Sequence, residues 1–345
     1  MSTPSALDPG SDHMVQPATG TAAILITGYG GPCNIDEVES FITELTGRTH
    51  PPVVVESIRR KYLAVGGCSP LHAVAGQFAD ALSAAINERN ESHTPVELGF
   101  RYSQPRIAEV MRRFYAIGVR DVITVSLSPF ESKITTVAYR STIAEALEEL
   151  PGMRVIETPL LGSMPAYIHA HASNLDFAIS ELPSDLSGST FVVFSAHSLP
   201  VADLLGAEDP YICGIRSASD QAAALLQLPG GKLSDSLLGV ELYGSGEGRL
   251  HWAVAYQSTG NKPGAWLGPS LEDVVGRAAK HGYQAVAVCP IGFLTEHMES
   301  MYDLDVEIAD LAILSGIEFV RSSAPSSVPT LVNALADELS AMITR

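Results

Sequence analysis

Glu299, Asp303 and Glu307 recur at every fourth residue of His297-Met298-Glu299-Ser300-Met301-Tyr302-Asp303-Leu304-Asp305-Val306-Glu307. On a helix that spacing stacks three carboxylates along one face, where like charges repel by a few tenths of a kcal/mol per pair. Such a ladder implies a cation beside it. A solvated acidic face is the plainer alternative, but the context argues against it. The apolar run Ala285-Val286-Ala287-Val288-Cys289-Pro290-Ile291 reads as a buried parallel strand. The ladder therefore starts near a strand's C-terminal end, where open α/β sheets place ligands. A second candidate group is Ser195-Ala196-His197-Ser198-Leu199-Pro200, which also follows an apolar strand. His197 at that position has a structural, hydrogen-bonding reading and a chemical one. Facing Glu299 across one cleft, it suits metal capture or proton removal near neutral pH. A serine hydrolase using Ser195 or Ser198 would need a G-x-S-x-G elbow, which the sequence lacks there. The third group is the Gly/Pro-rich loop after Tyr256, where Trp266 has a reason to stand only if it packs against something flat and apolar.

The elements that must hold these groups alternate. Ala22-Ala23-Ile24-Leu25-Ile26-Thr27 predicts a strand that breaks at Gly28-Tyr29-Gly30-Gly31-Pro32. Helical patterns follow over 36–46, 70–89, 105–117 and 135–150, and strands over 96–102, 121–127 and 153–157. The alternation restarts with helices over 166–183, 208–227, 270–281, 296–314 and 327–343, and strands over 190–195, 251–256, 285–290 and 317–321. This is β-α-β-α order, the mark of mostly parallel sheets flanked by helices. The predicted fold is α/β, with two Rossmann-like domains, 21–160 and 161–325, and the active-site cleft between them. A Ser/Pro/Gly/Thr-rich tail, 1–20, is expected to be disordered, and a closing helix within 326–345 is expected to pack back on the body. Gly244-Ser245-Gly246-Glu247-Gly248 resembles a nucleotide loop but precedes a strand rather than opening a helix, so a hairpin turn is expected.

Composition narrows the partners. A chain of 345 residues, 46% hydrophobic and 17% charged, has ample length for two cores. A net charge of −18 gives phosphates nothing broad to bind, which argues against nucleic acid. The four cysteines, 33, 68, 213 and 289, form no CxxC pair and read as reduced thiols. No stretch reaches the about 18–20 apolar residues of a membrane span, so no integral membrane segment is expected. No secretory signal is read at the start, and a cytoplasmic location is expected.

Several of these motifs, in order and across residues 22–343, together resemble the ferrochelatases. The resemblance is carried by Tyr29-Gly30-Gly31-Pro32, Gly66-Gly67-Cys68-Ser69-Pro70-Leu71, Arg101-Tyr102, the 195–200 segment and Asp209-Pro210-Tyr211. It continues through Tyr256-Gln257-Ser258, Trp266-Leu267-Gly268-Pro269, Pro290-Ile291-Gly292-Phe293 and His297-Met298-Glu299. It implies two chelatase-type domains and a lyase that inserts Fe²⁺, as substrate, into a porphyrin in heme biosynthesis. By position, His197 and Glu299 would share metal delivery and pyrrole deprotonation, with Asp303 and Glu307 conducting cations or protons behind Glu299. Tyr29 would stand on the opposite porphyrin face, able to touch the metal. A Tyr at that position is similar to the Gram-positive branch, which makes coproheme from coproporphyrin III, and that substrate is expected here. Porphyrin contacts would come from Tyr29, Lys61, Tyr62, Ser69, Arg48, Arg101 and Trp266. Lys61, Arg48 and Arg101 have a surface-charge alternative. The other readings are a protoporphyrin IX ferrochelatase, a chelatase for another divalent metal such as cobalt, and a tetrapyrrole carrier without turnover. No cofactor is expected. With no cysteine after 289, neither is a 2Fe-2S cluster, and the missing C-terminal extension of dimeric relatives implies a monomer. Three departures from the family stand out: Glu296 replaces an Asp, Leu45-Thr46-Gly47-Arg48 carries fewer arginines, and Pro129-Phe130-Glu131-Ser132 lacks a His or Gln.

Overall fold

The computed structural model describes residues 22–90, 93–228, 251–260 and 263–343. The segment 1–20, the expected turn at 244–248, and Asn261 and Lys262 of the Trp266 loop lie outside the described residues. Among the described residues two four-stranded sheets form, all of their pairings parallel. The first contains β1 (Ala22–Gly28), β2 (Val96–Phe100), β3 (Asp121–Ser126) and β4 (Arg154–Glu157), in the order β2-β1-β3-β4. The second contains β5 (Thr190–His197), β6 (Trp252–Gln257), β7 (Ala285–Cys289) and β8 (Glu318–Arg321), in the order β6-β5-β7-β8. The two orders are the same pattern used twice. In each sheet the strand order reverses beside the first strand, which opens a crevice at the C-terminal ends of β1 and β5.

Helices connect and cover the strands. They are α1 (Val38–Thr46), α2 (Pro52–Ala64), α3 (Leu71–Arg89), α4 (Ile107–Ala116), α5 (Thr136–Leu147), α6 (Pro165–Ser180), α7 (Pro210–Leu225), α8 (Leu271–Lys280), α9 (Ala309–Leu314) and α10 (Pro329–Ile343). The central strands β1 and β7 are buried along their whole length, which is why they read as unbroken apolar runs. One apolar cluster runs through Ile24, Phe78, Tyr167, Phe194 and Leu335, so both sheets and α10 share a continuous core. Each fully buried Leu, Ile or Phe in it contributes about 1.5–3 kcal/mol relative to exposure. The closing helix does pack back: α10 lies on α3 and α6, and Asp337 accepts from Arg89 Nε at 2.6 Å.

One expectation needs correction. The helix expected over 296–314 begins instead as a π-helix at Glu299–Ile308 and becomes α-helical only at α9. Its wider turn keeps residues four apart near one face, so the acidic ladder survives the change of period. The segment carrying Arg59, Arg60 and Lys61 is the helix α2, with Pro52 at its first position.

Candidate active site

Most of the site gathers at the C-terminal ends of parallel strands, with Lys61 and Tyr62 added from α2. Strand β5 ends on His197, and β7 runs through Pro290-Ile291-Gly292-Phe293 toward the π-helix. Gly292 lets the two meet. Its N–H donates to the Ser195 carbonyl at 3.0 Å, and a Cβ there would lie 2.6 Å from the Ala196 Cβ and 2.7 Å from its Cα. Only a glycine allows the β7 loop to lie against β5 and carry Glu299 to His197.

The His197 Nε2 stands 3.1 Å from Glu299 Oε1, with both side chains partly open to solvent. The His197 Nδ1 makes a short hydrogen bond to the Ser198 carbonyl. A carbonyl only accepts, so Nδ1 carries the hydrogen, and Nε2 is the atom that gains or loses a proton opposite Glu299. Burial, the largest single influence, lowers the His197 pKa, but the Glu299 charge and hydrogen bond, with the Ser198 carbonyl and the Asp303 charge, together outweigh it and the net shift is upward. Burial pushes Glu299 the other way, and His197 overcomes it, so the Glu299 pKa ends below the usual carboxylate value. The two shifts run in opposite directions, as the contact between an imidazole and a carboxylate requires. Tyr211 donates to the His197 carbonyl at 2.8 Å and anchors the end of the strand.

The ladder has its cation. Lys61 Nζ, from α2 of the first half, lies 2.9 Å from Glu307 Oε1 and 3.6 Å from Asp303 Oδ1, and 4.7 Å from the Tyr302 ring centre. Burial raises the Asp303 pKa to about 6, against the opposing effect of the Ser258 hydrogen bond. Ser258 donates to Asp303 Oδ2 from a left-handed backbone (φ 62°), an uncommon conformation for a residue with a side chain. Among the described residues, no three His, Cys, Asp or Glu side chains converge as a closed metal site. The pair and ladder offer open, borderline N and O donors, suited to a cation in transit.

The first half supplies a different surface. Tyr29 follows β1 and meets Tyr102 edge-on, with ring centres 4.9 Å apart, and the Arg101 guanidinium lies 5.0 Å over the Tyr102 ring. Burial raises the pKa values of the Tyr29 and Tyr62 hydroxyls, and the Glu299 charge adds to both shifts, so both lie within its field. Ser69 is buried against Gly31, where a Cβ would come within 2.6 Å of the Ser69 Cβ, and its N–H donates to the Pro32 carbonyl at 2.9 Å. Trp266 is half-buried and bridges to Pro200, three residues beyond His197. Arg48 is the exception. It is exposed after the left-handed Gly47 that ends α1, and its guanidinium forms no ion pair among the described residues. Lys61, expected on a propionate, is instead engaged by Asp303 and Glu307 in this structure.

Several supporting residues have roles that the sequence alone does not reveal. His297 accepts the Glu299 N–H on Nδ1 at 3.1 Å, which makes it a neutral Nε2–H tautomer, and burial lowers its pKa. Glu296, the longer residue where an Asp was expected, accepts from Ser300 Oγ at 2.6 Å, the Ala324 N–H at 2.8 Å and Arg321 Nη1 at 2.9 Å. Arg321 also pairs with Asp305 at 2.6 Å, so one guanidinium fixes both the approach to the π-helix and its middle. A cavity of about 500 Å³ lies between α3 and the start of α10, reaching Glu296 but none of the pair or ladder.

Comparison with known proteins places this arrangement. The family model for ferrochelatase matches residues 21–342. A ferrochelatase of Herpetosiphon aurantiacus is 30% identical over 91% of this chain and 96% of its own. The coproporphyrin III ferrochelatase of Bacillus subtilis is 27% identical over 91% of this chain and 95% of its own. That of Propionibacterium freudenreichii subsp. freudenreichii is 29% identical over 94% and 88%. Among solved structures, SirB from Bacillus subtilis with Fe³⁺ covers 94% of this chain and 96% of its own, with a TM-score of 0.54 at 15% identity, a likeness of fold alone. A match spanning both sheets and every strand end that builds the site makes this chain a member of the ferrochelatase family, lyases that insert a metal into a tetrapyrrole.

Proposed function

We propose that the enzyme inserts Fe²⁺ into coproporphyrin III to give coproheme. The observation that carries the reading is the His197 Nε2–Glu299 Oε1 approach of 3.1 Å, set beside the acidic ladder and within the electrostatic reach of Tyr29. Insertion removes two pyrrole protons, strips water from the metal and seats it on four nitrogens. His197 Nε2, once deprotonated, takes one proton and Glu299 takes the other. Both pass to solvent along Asp303 and Glu307, which Lys61 keeps from mutual repulsion. Tyr29 and Tyr102, set edge to face, supply aromatic contacts for the opposite porphyrin face.

The choice of coproporphyrin rests on Tyr29, the residue of the branch that uses it, and on the relatives named coproporphyrin III ferrochelatases. A protoporphyrin IX ferrochelatase is the second reading, favoured by Arg48, which leaves one cation fewer at the wall for a substrate with four propionates. Anaerobic mixing with Fe²⁺ and either porphyrin, followed by absorbance, separates them. Faster turnover of coproporphyrin III is expected, and faster turnover of protoporphyrin IX would overturn the choice.

A further inference from the structure

We infer that Gln257 is a positioning residue that sets the distance between His197 and Glu299. The inference rests on the metal-insertion reading and deepens it. Gln257 is the last residue of β6 and pairs in register with His197. Its carbonyl accepts the Ser198 N–H at 2.7 Å, and Ser198 in turn holds His197 Nδ1. Its side chain points the other way, and Nε2 donates to the Glu299 carbonyl at 3.0 Å. The amide can face that carbonyl only with its N–H₂ end, since the oxygen would repel it. One residue thus grips the strand of the imidazole with its backbone and the π-helix of the carboxylate with its side chain.

Stability alone does not account for this residue. Gln257 is 1% exposed, and its Oε1 is buried without a partner among the described residues. A methionine of similar length would fill the same space without stranding an acceptor. The polar group is better explained by what its donor end holds. The next residue, Ser258, reaches Asp303 one turn further along, so the β6 loop grips the π-helix at two successive acids.

The test is steady-state insertion by the full-length enzyme carrying Gln257→Met. Because misplacing reacting groups by about 1 Å can cost up to a hundredfold, kcat should fall roughly ten- to a hundredfold while the porphyrin KM stays within about twofold. The ¹⁵N signals of the His197 imidazole should also move, a response that a purely structural role would not give. Should Gln257→Met fail to fold, Gln257→Asn keeps an uncharged amide but is one methylene too short to reach the Glu299 carbonyl, and should show the same loss. A kcat within twofold of wild type, or an unmoved His197 signal, would overturn the inference. His197→Ala separates the two levels. Wild-type insertion by that variant removes the metal-insertion reading itself, whereas an inactive His197→Ala beside a fully active Gln257→Met removes only the role of Gln257.

Discussion

The two halves of the molecule have the same strand order and opposite chemistry. The first sheet ends in Tyr29, Tyr102 and the Ser69 loop, neutral groups that offer ring faces and hydroxyls. The second ends in His197 and the path to Glu299, Asp303 and Glu307, ionisable groups, with the Gln257 amide tying the π-helix to β6. One topology thus serves two functions. The sheets place chain ends at a crevice, and on the proposed reading the residues just beyond the strands divide the work, substrate grip on one side and proton and metal handling on the other.

The largest test of that division is Glu299→Gln, which keeps shape and removes charge on the reactive side. Loss of a proton-accepting group should lower insertion by about 10²–10³, with porphyrin affinity, assigned to the other side, nearly unchanged. A parallel loss of affinity, read by fluorescence quenching, would break the division. The next effect is on pH. The His197 pKa is raised chiefly by the Glu299 charge working against burial, and Nε2 must be free of its proton to act. Insertion should therefore fall as pH drops through a value above that of ordinary imidazole. If Glu299→Gln leaves the acid limb of its residual pH–rate profile where it was, the carboxylate is not the cause of the shift.

Lys61 crosses from the first half to the second and so sharpens the comparison. With its ammonium half-exposed on Asp303 and Glu307, Lys61→Met should lower the metal KM about two- to fivefold, the scale of a partly exposed ion pair, and leave the porphyrin KM alone. A rise in the porphyrin KM would return Lys61 to the propionates. The smallest effect belongs to Tyr29. Tyr29→Phe should shift the absorption of the bound iron product while kcat stays within about twofold, and an identical spectrum would mean that the hydroxyl does not meet the metal.

Much of this is legible in the chain because it is local. Unbroken apolar runs such as 285–291 reveal buried parallel strands, and the residues just beyond them, His197 and Tyr29, are placed at the crevice by that fact alone. The four-residue spacing of the ladder and its need for a cation are equally visible, and Lys61 meets that need. Which cation it would be is not visible, because Lys61 lies on a helix more than two hundred residues before the ladder. The π-helix is hidden because a four-residue repeat fits both helical periods, and tertiary anchors such as Arg321 on Glu296 and Asp305 join residues whose pairing leaves no local pattern. Gln257 is, in sequence, only one letter of a motif. Its role depends on the register of β6 against β5, which periodicity does not supply.

The central claim is that His197 and Glu299 act as one unit on the substrate, and a double-mutant cycle of single-turnover Fe²⁺ insertion tests it most directly. Groups that act together lose their contribution once, so His197→Ala/Glu299→Gln should be no more than about threefold slower than the slower single variant. If instead the two losses multiply, each residue works independently, and the 3.1 Å contact between them is not the device that drives insertion.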